Sequence, residues 1–104
     1  MNKQIEVSQK ELTRHSILCI VEEIGPNGAS TQIIKSVLAK NGVDISNDKL
    51  LKELKYLENK DLIGIKKVEN AILKIDRTVV YITAKGQDLL DGFIKEDGIE
   101  VGDY

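Results

Sequence analysis

Up to Lys60-Asp61 the apolar residues of this chain recur at helical steps; beyond it, as far as Thr83, they fall roughly on alternate positions. A helix presents one face every 3.6 residues and a strand every second residue, so neither pattern can serve for the other. Leu50, Leu54 and Leu57, with Leu51 alongside, predict a helix that Lys60-Asp61 closes. After it, Leu62-Ile63-Gly64-Ile65-Lys66-Lys67-Val68-Glu69 and Thr78-Val79-Val80-Tyr81-Ile82-Thr83 are β-branched runs that predict the two strands of one hairpin. Turn residues stand at Glu69-Asn70 and at Asp76-Arg77, and Ala71-Ile72-Leu73 can extend either strand, so the register stays open. The class is α+β.

Helices account for the rest. From Ser8 to Ile24, Leu12, Ile17, Ile20, Val21 and Ile24 form an apolar stripe, with Ser8 as N-cap and Glu11 three residues on. Gly25-Pro26-Asn27-Gly28 stops that helix. A second helix fits Thr31 to Lys40, capped by Ser30, lined by Ile33, Ile34, Val37 and Leu38, and ended by Asn41-Gly42. Val43-Asp44-Ile45 links it to the third helix, with Ile45 as the staple residue before the N-cap Ser46 and Asp48 in the first turn. Asn47, Lys49, Lys52, Glu53, Tyr56 and Asn59 are then left towards solvent. A last helix is expected from Ala84 to about Lys95, apolar at Leu89, Leu90, Phe93 and Ile94. The short connections bring Ile20, Ile24, Ile34, Leu38, Leu50, Leu54, Leu57 and Leu62 into one core. Residues 1–95 are expected to form one domain, with 96–104 as an acidic, frayed tail.

The 104 residues suit a single domain, and the spread of Ile, Leu and Val excludes disorder along the whole length. The formal charge of −2 hides a division. Residues 1–47 balance, residues 48–85 hold nine basic against six acidic side chains, and residues 86–104 hold Lys95 against six acids. One Cys rules out an internal disulfide. His15 and Cys19 are four apart on the first helix, but no further soft ligand exists to complete a metal site, and no orienting residue suggests a Cys-His nucleophile. No phosphate-binding glycine loop, dinucleotide fingerprint, zinc-protease helix or nucleophile elbow occurs, so neither an enzyme nor a cofactor is expected. No apolar run is long enough for a bilayer, and Met1-Asn2-Lys3-Gln4-Ile5-Glu6 lacks the apolar core of a secretory signal, which predicts a soluble, cytoplasmic protein.

Three helices, a β-hairpin and a helix follow the order of a winged helix-turn-helix domain. Lys55-Tyr56-Leu57-Glu58-Asn59-Lys60-Asp61-Leu62-Ile63 resembles the L-x-x-L-E-x-x-G-L-I junction between the third helix and the wing of that superfamily, with Asp61 in place of the commoner glycine. Tyr81-Ile82-Thr83-Ala84-Lys85-Gly86-Gln87-Asp88-Leu89-Leu90 is similar to the L-T-x-x-G-x-x-L-L that closes the wing. In that pattern Thr83 caps the final helix and Gly86 allows close packing. The two motifs and the element order cover residues 8–95. Asp44-Ile45-Ser46-Asn47-Asp48 and the short tail also resemble small winged-helix proteins of Mu-like phages.

The resemblance implies a double-stranded DNA partner: a sequence-specific transcriptional regulator or a phage DNA-processing accessory. The third helix would enter the major groove, where Asn47 suits adenine, Lys49 and Lys52 suit guanine, and Tyr56 reaches phosphate, with Glu53 on the same face. Asp48 and Glu53 limit phosphate contact. Lys66, Lys67, Lys74 and Arg77 of the wing would grip phosphates or the minor groove, although lysines also protect exposed strand edges from aggregation. The alternative is a winged-helix protein-protein interaction adaptor without DNA binding, which the acidic tail and a pI near 5.4 favour. A homodimer through the N-terminal segment, with Ile5 and Val7, and the C-terminal helix is expected from the apolar surplus of Leu89, Leu90, Phe93 and Ile94.

Overall fold

A computed structural model describes residues 3–70, 72 and 75–99. The element order is α1 (Lys3–Ile24), β1 (Ala29–Ser30), α2 (Thr31–Lys40), α3 (Asn47–Asn59), β2 (Ile63–Asn70), β3 (Ile75–Ile82) and α4 (Ala84–Leu90).

α1 starts five residues before Ser8, so Ser8 lies inside the helix and caps nothing. Its buried side chains are Ile17, Leu18 and Val21, whereas Leu12 and Ile24 are exposed and Ile20 is half-buried. The stripe expected from Leu12 and Ile24 is therefore rotated. At 100° per residue, Leu12 sits about 170° from the centre of the Ile17-Leu18-Val21 stripe, on the opposite side of the helix. Gly25, at φ 99°, ends α1, and Gly25 N–H donates to the Val21 carbonyl at 3.2 Å.

The sheet has three strands in the order β1-β3-β2, not two. Ala29 pairs antiparallel with Val80 and Ser30 with Val79. Two residues are too few to carry a period, which is why this strand has no trace in the sequence pattern. Ser30 then accepts from Ile33 N–H at 3.2 Å and caps α2. β2 and β3 pair from Ile63↔Ile82 to Asn70↔Ile75. Glu69 and Asp76 thus face each other within the ladder, and neither expected turn position is a turn.

Ser46 caps α3 by accepting from Lys49 N–H at 3.2 Å, and Ile45 joins Leu50 in the core as a staple requires. The core gathers Leu50, Leu54 and Leu57 of α3, Ile34 and Leu38 of α2, Ile17, Leu18 and Val21 of α1, and Leu62, Ile63 and Val80 of the wing. Ile24 is not part of it.

α4 ends at Leu90, earlier than the expected Lys95, because Gly92 takes φ 83° and Gly92 N–H turns back to the Leu89 carbonyl at 3.1 Å. Leu89 is buried, and Leu90 and Ile94 pack against the core, which leaves only Phe93 of the four apolar residues exposed. From Gln87 of α4, beside Glu22, to Gly98, beside Arg14, the chain runs back along α1. Residues 96–99, expected to fray, are docked. Ile99 is buried in the core, and Glu96 pairs with Lys60 at 3.4 Å and Lys85 at 3.7 Å. The apolar Ile99 anchors an otherwise acidic stretch whose Glu96 meets two lysines.

Candidate nucleic-acid interface

The faces of α3 divide by what they touch. With Leu50, Leu54 and Leu57 turned inward, Asn47, Asp48, Lys49, Leu51, Lys52 and Lys55 are exposed. Asn47 Oδ1 accepts from Lys35 Nζ of α2 at 2.9 Å, which fixes the start of α3 against the preceding helix. Lys55 pairs with Glu58 one turn on, at 3.0 Å. Neither Lys49 nor Lys52 enters an ion pair among the described residues.

Glu53 and Tyr56 occupy a different flank from the one expected. Glu53 is bonded to Arg14 of α1, and the Arg14 guanidinium lies over the Tyr56 ring, 3.6 Å from its centroid. The same guanidinium donates to the Gly98 carbonyl at 2.9 Å, and the Tyr56 hydroxyl donates to the Asp97 carbonyl at 3.1 Å. The sequence pattern put both on the open face because at helical spacing they fall outside the leucine stripe. It could not register that Arg14, at the same angle on α1 as Ile17 and Val21, faces inward and requires a carboxylate partner. Glu53 and Tyr56 join α1, α3 and the C-terminal segment.

In the wing, residues opposite each other share a face, so alternation sorts the cations. Ile63↔Ile82 and Ile65↔Val80 lie on the core side, and Lys67↔Thr78 continues that side beyond the core. Gly64↔Tyr81, Lys66↔Val79 and Val68↔Arg77 lie on the other, where the Tyr81 ring covers Gly64. Lys66, Lys67 and Arg77 are all exposed, but Lys67 and the pair Lys66 and Arg77 point to opposite faces. Lys74 lies outside the described residues. Lys35, which holds Asn47, was not singled out from the sequence, since nothing in the α2 pattern distinguishes it from any surface lysine.

On α1, Cys19 Sγ lies 3.3 Å from His15 Nε2. Burial, with Glu22 and Glu23 adding repulsion, raises the thiol above its ordinary range, the opposite of what a thiolate nucleophile or metal ligand needs. Among the described residues, no group of three or more His, Cys, Asp or Glu side chains could hold a metal, and no helix is long and apolar enough to cross a membrane.

No family model matches the sequence, and no curated protein matches it. Solved structures do. The chain is similar to a PadR-like transcription factor from Bacteroides fragilis, with TM-score 0.67 and 20% identity over 86% of this chain and 81% of that one. A PadR family transcriptional regulator from Eggerthella lenta gives 0.58 and 17%, over 74% and 66%. Bacillus subtilis PadR, solved in complex with operator DNA, gives 0.60 and 21% over 84% of this chain and 49% of that one, so this chain spans about half of it. The fold is a winged helix-turn-helix. Within it α2 and α3 are the helix-turn-helix pair and β2-β3 the wing. The narrower resemblance to Mu-like phage proteins gains no support from these structures.

Proposed function

We propose that the chain is a DNA-binding transcriptional regulator that reads the major groove with α3 and touches phosphates with the wing. The observation that carries this reading is the outward face of α3, where Lys49 and Lys52 stand exposed near the helix N-terminus, the end that reaches base edges in a helix-turn-helix. The operator complex of the similar B. subtilis protein supports it. Asn47, held by Lys35, and Lys49 and Lys52 are the base-reading candidates; Lys66, Lys67 and Arg77 are the phosphate candidates. Glu53 and Tyr56, engaged by Arg14, position α3 and have no direct role in this reading. No cofactor enters it, and the site of action is the cytoplasm. The regulator acts as a homodimer, because two half-sites multiply the affinity of a small reading head.

Titration of duplex binding against salt tests this. Affinity should fall steeply as salt rises, because each phosphate contact releases a counterion. Lys49→Ala and Lys52→Ala should each cost about 1–3 kcal/mol on a preferred sequence and alter the preference. Lys67→Ala and Arg77→Ala should weaken all sequences alike and lower the salt slope by about one unit each. Equal binding by wild type and the quadruple variant would remove DNA and leave the adaptor reading.

A further inference from the structure

The α3 face offered to DNA carries one side chain that cannot hydrogen-bond. Leu51 is 56% exposed, while Leu50, Leu54 and Leu57 on the same helix are at most 2% exposed. It lies in one row with Asn47 a turn before it and Lys55 a turn after it, and both neighbours have side-chain partners: Asn47 with Lys35, Lys55 with Glu58. Leu51 therefore stands out from a row whose polar ends are engaged. A lone exposed leucine is ordinary on a protein surface. This one sits in the first half of the helix that reads the groove, between the cations Lys49, Lys52 and Lys55, which complement a polyanion. Base edges in the major groove present donors and acceptors for every base pair, and a single apolar group, the C5-methyl of thymine.

We propose that Leu51 is a specificity-determining residue that selects a thymine by burying its methyl group. The proposal rests on the DNA reading above. A leucine there also discriminates negatively, because an exocyclic amine or a carbonyl oxygen pressed against it would lose its water without gaining a partner.

The test begins with duplexes selected from a random pool by the full chain. Each thymine of the selected site is then replaced by deoxyuridine, which removes only the methyl. Wild type should lose about fourfold in affinity at one thymine per half-site, the effect of one buried methyl group. Leu51→Ala should bind the thymine duplex more weakly and be indifferent to that replacement, while Lys52→Ala keeps the sensitivity. The Leu51→Ala melting curve should overlay that of wild type, since the side chain is outside the core. Steep, salt-dependent binding with no methyl effect at any thymine overturns the Leu51 assignment and leaves the DNA reading intact, as does an undiminished effect in Leu51→Ala. Failure to select any duplex overturns both.

Discussion

Thr83 joins two stretches of chain that look independent in the sequence. Its hydroxyl accepts from Gly86 N–H at 3.0 Å, capping α4, and donates to the Asp61 carbonyl at 2.6 Å, where α3 turns into the wing. Its own N–H donates to the Leu62 carbonyl at 3.2 Å. The two motifs that carried the family resemblance are thus the two sides of one contact. Asp61 takes φ 62°, a left-handed conformation that accounts for the glycine commoner at this position. Gly86 is required for another reason: a Cβ there would collide with the Leu62 carbonyl oxygen, a backbone atom that cannot rotate away. Gly86→Ala should therefore destabilise by about 1–3 kcal/mol in denaturant unfolding, as overpacking does. Asp61→Gly should change stability less, because relief of the left-handed strain is opposed by the greater freedom of an unfolded glycine. A Gly86→Ala midpoint equal to wild type would mean that α4 does not abut the wing junction.

At the scale of elements, what the sequence disclosed follows from how much pattern each element holds. α2 and α3 matched their expected bounds closely because a serine cap, a leucine or isoleucine stripe and an Asn41-Gly42 or Lys60-Asp61 stop all agree. α1 was legible as a helix and misread as a face, because its apolar residues occur all round and only the partners it packs on select Ile17, Leu18 and Val21. The exposed side of α3 was legible at Asn47, Lys49 and Lys52, and lost at Glu53 and Tyr56, whose partners Arg14 and Asp97 are distant in sequence. The C-terminal segment was hidden by its own composition. Acidic residues between glycines read as solvent-facing, and Ile99 is too isolated to form a pattern. Its docking makes a measurable difference. Ile99→Ala should cost about 2–5 kcal/mol, at the lower end because a terminal segment can relax into the space, alongside Leu54→Ala as a central-core reference. A frayed segment would leave the Ile99→Ala melt unchanged while Leu54→Ala still fell.

The whole molecule is longer than a domain of its size needs to be. Its extents are 48 × 32 × 23 Å and its radius of gyration is 14.0 Å, against about 13 Å for a compact chain of this length. α1 contributes to that length: residues 3–10 are all exposed, so its first two turns stand clear of the core. Two turns of helix are marginal in water without something to pack on. Ile5 and Leu12, 54% and 49% exposed, lie one heptad apart on the side of α1 turned away from the core, and Phe93 is 77% exposed on the segment that runs back along α1. The dimer surface argued from the sequence therefore narrows. Leu89, Leu90 and Ile94 are engaged within the domain, and the apolar groups left exposed on this surface are Ile5, Val7 and Leu12 of α1 together with Phe93. A second copy laid along α1 would cover them, and a dimer that reads paired half-sites must set its two α3 helices about 34 Å apart. Sedimentation at about 10 μM, well above a micromolar Kd, should then give twice the 11.6 kDa chain mass. Leu12→Glu and Phe93→Glu should each return it to a single chain. Because both side chains point away from the core, the separated chains should keep the wild-type far-ultraviolet spectrum. They should also bind a single half-site as before while losing affinity for a paired site, as two linked reading heads require. A wild-type mass of one chain at that concentration excludes the dimer, and would leave α1 projecting for a different partner.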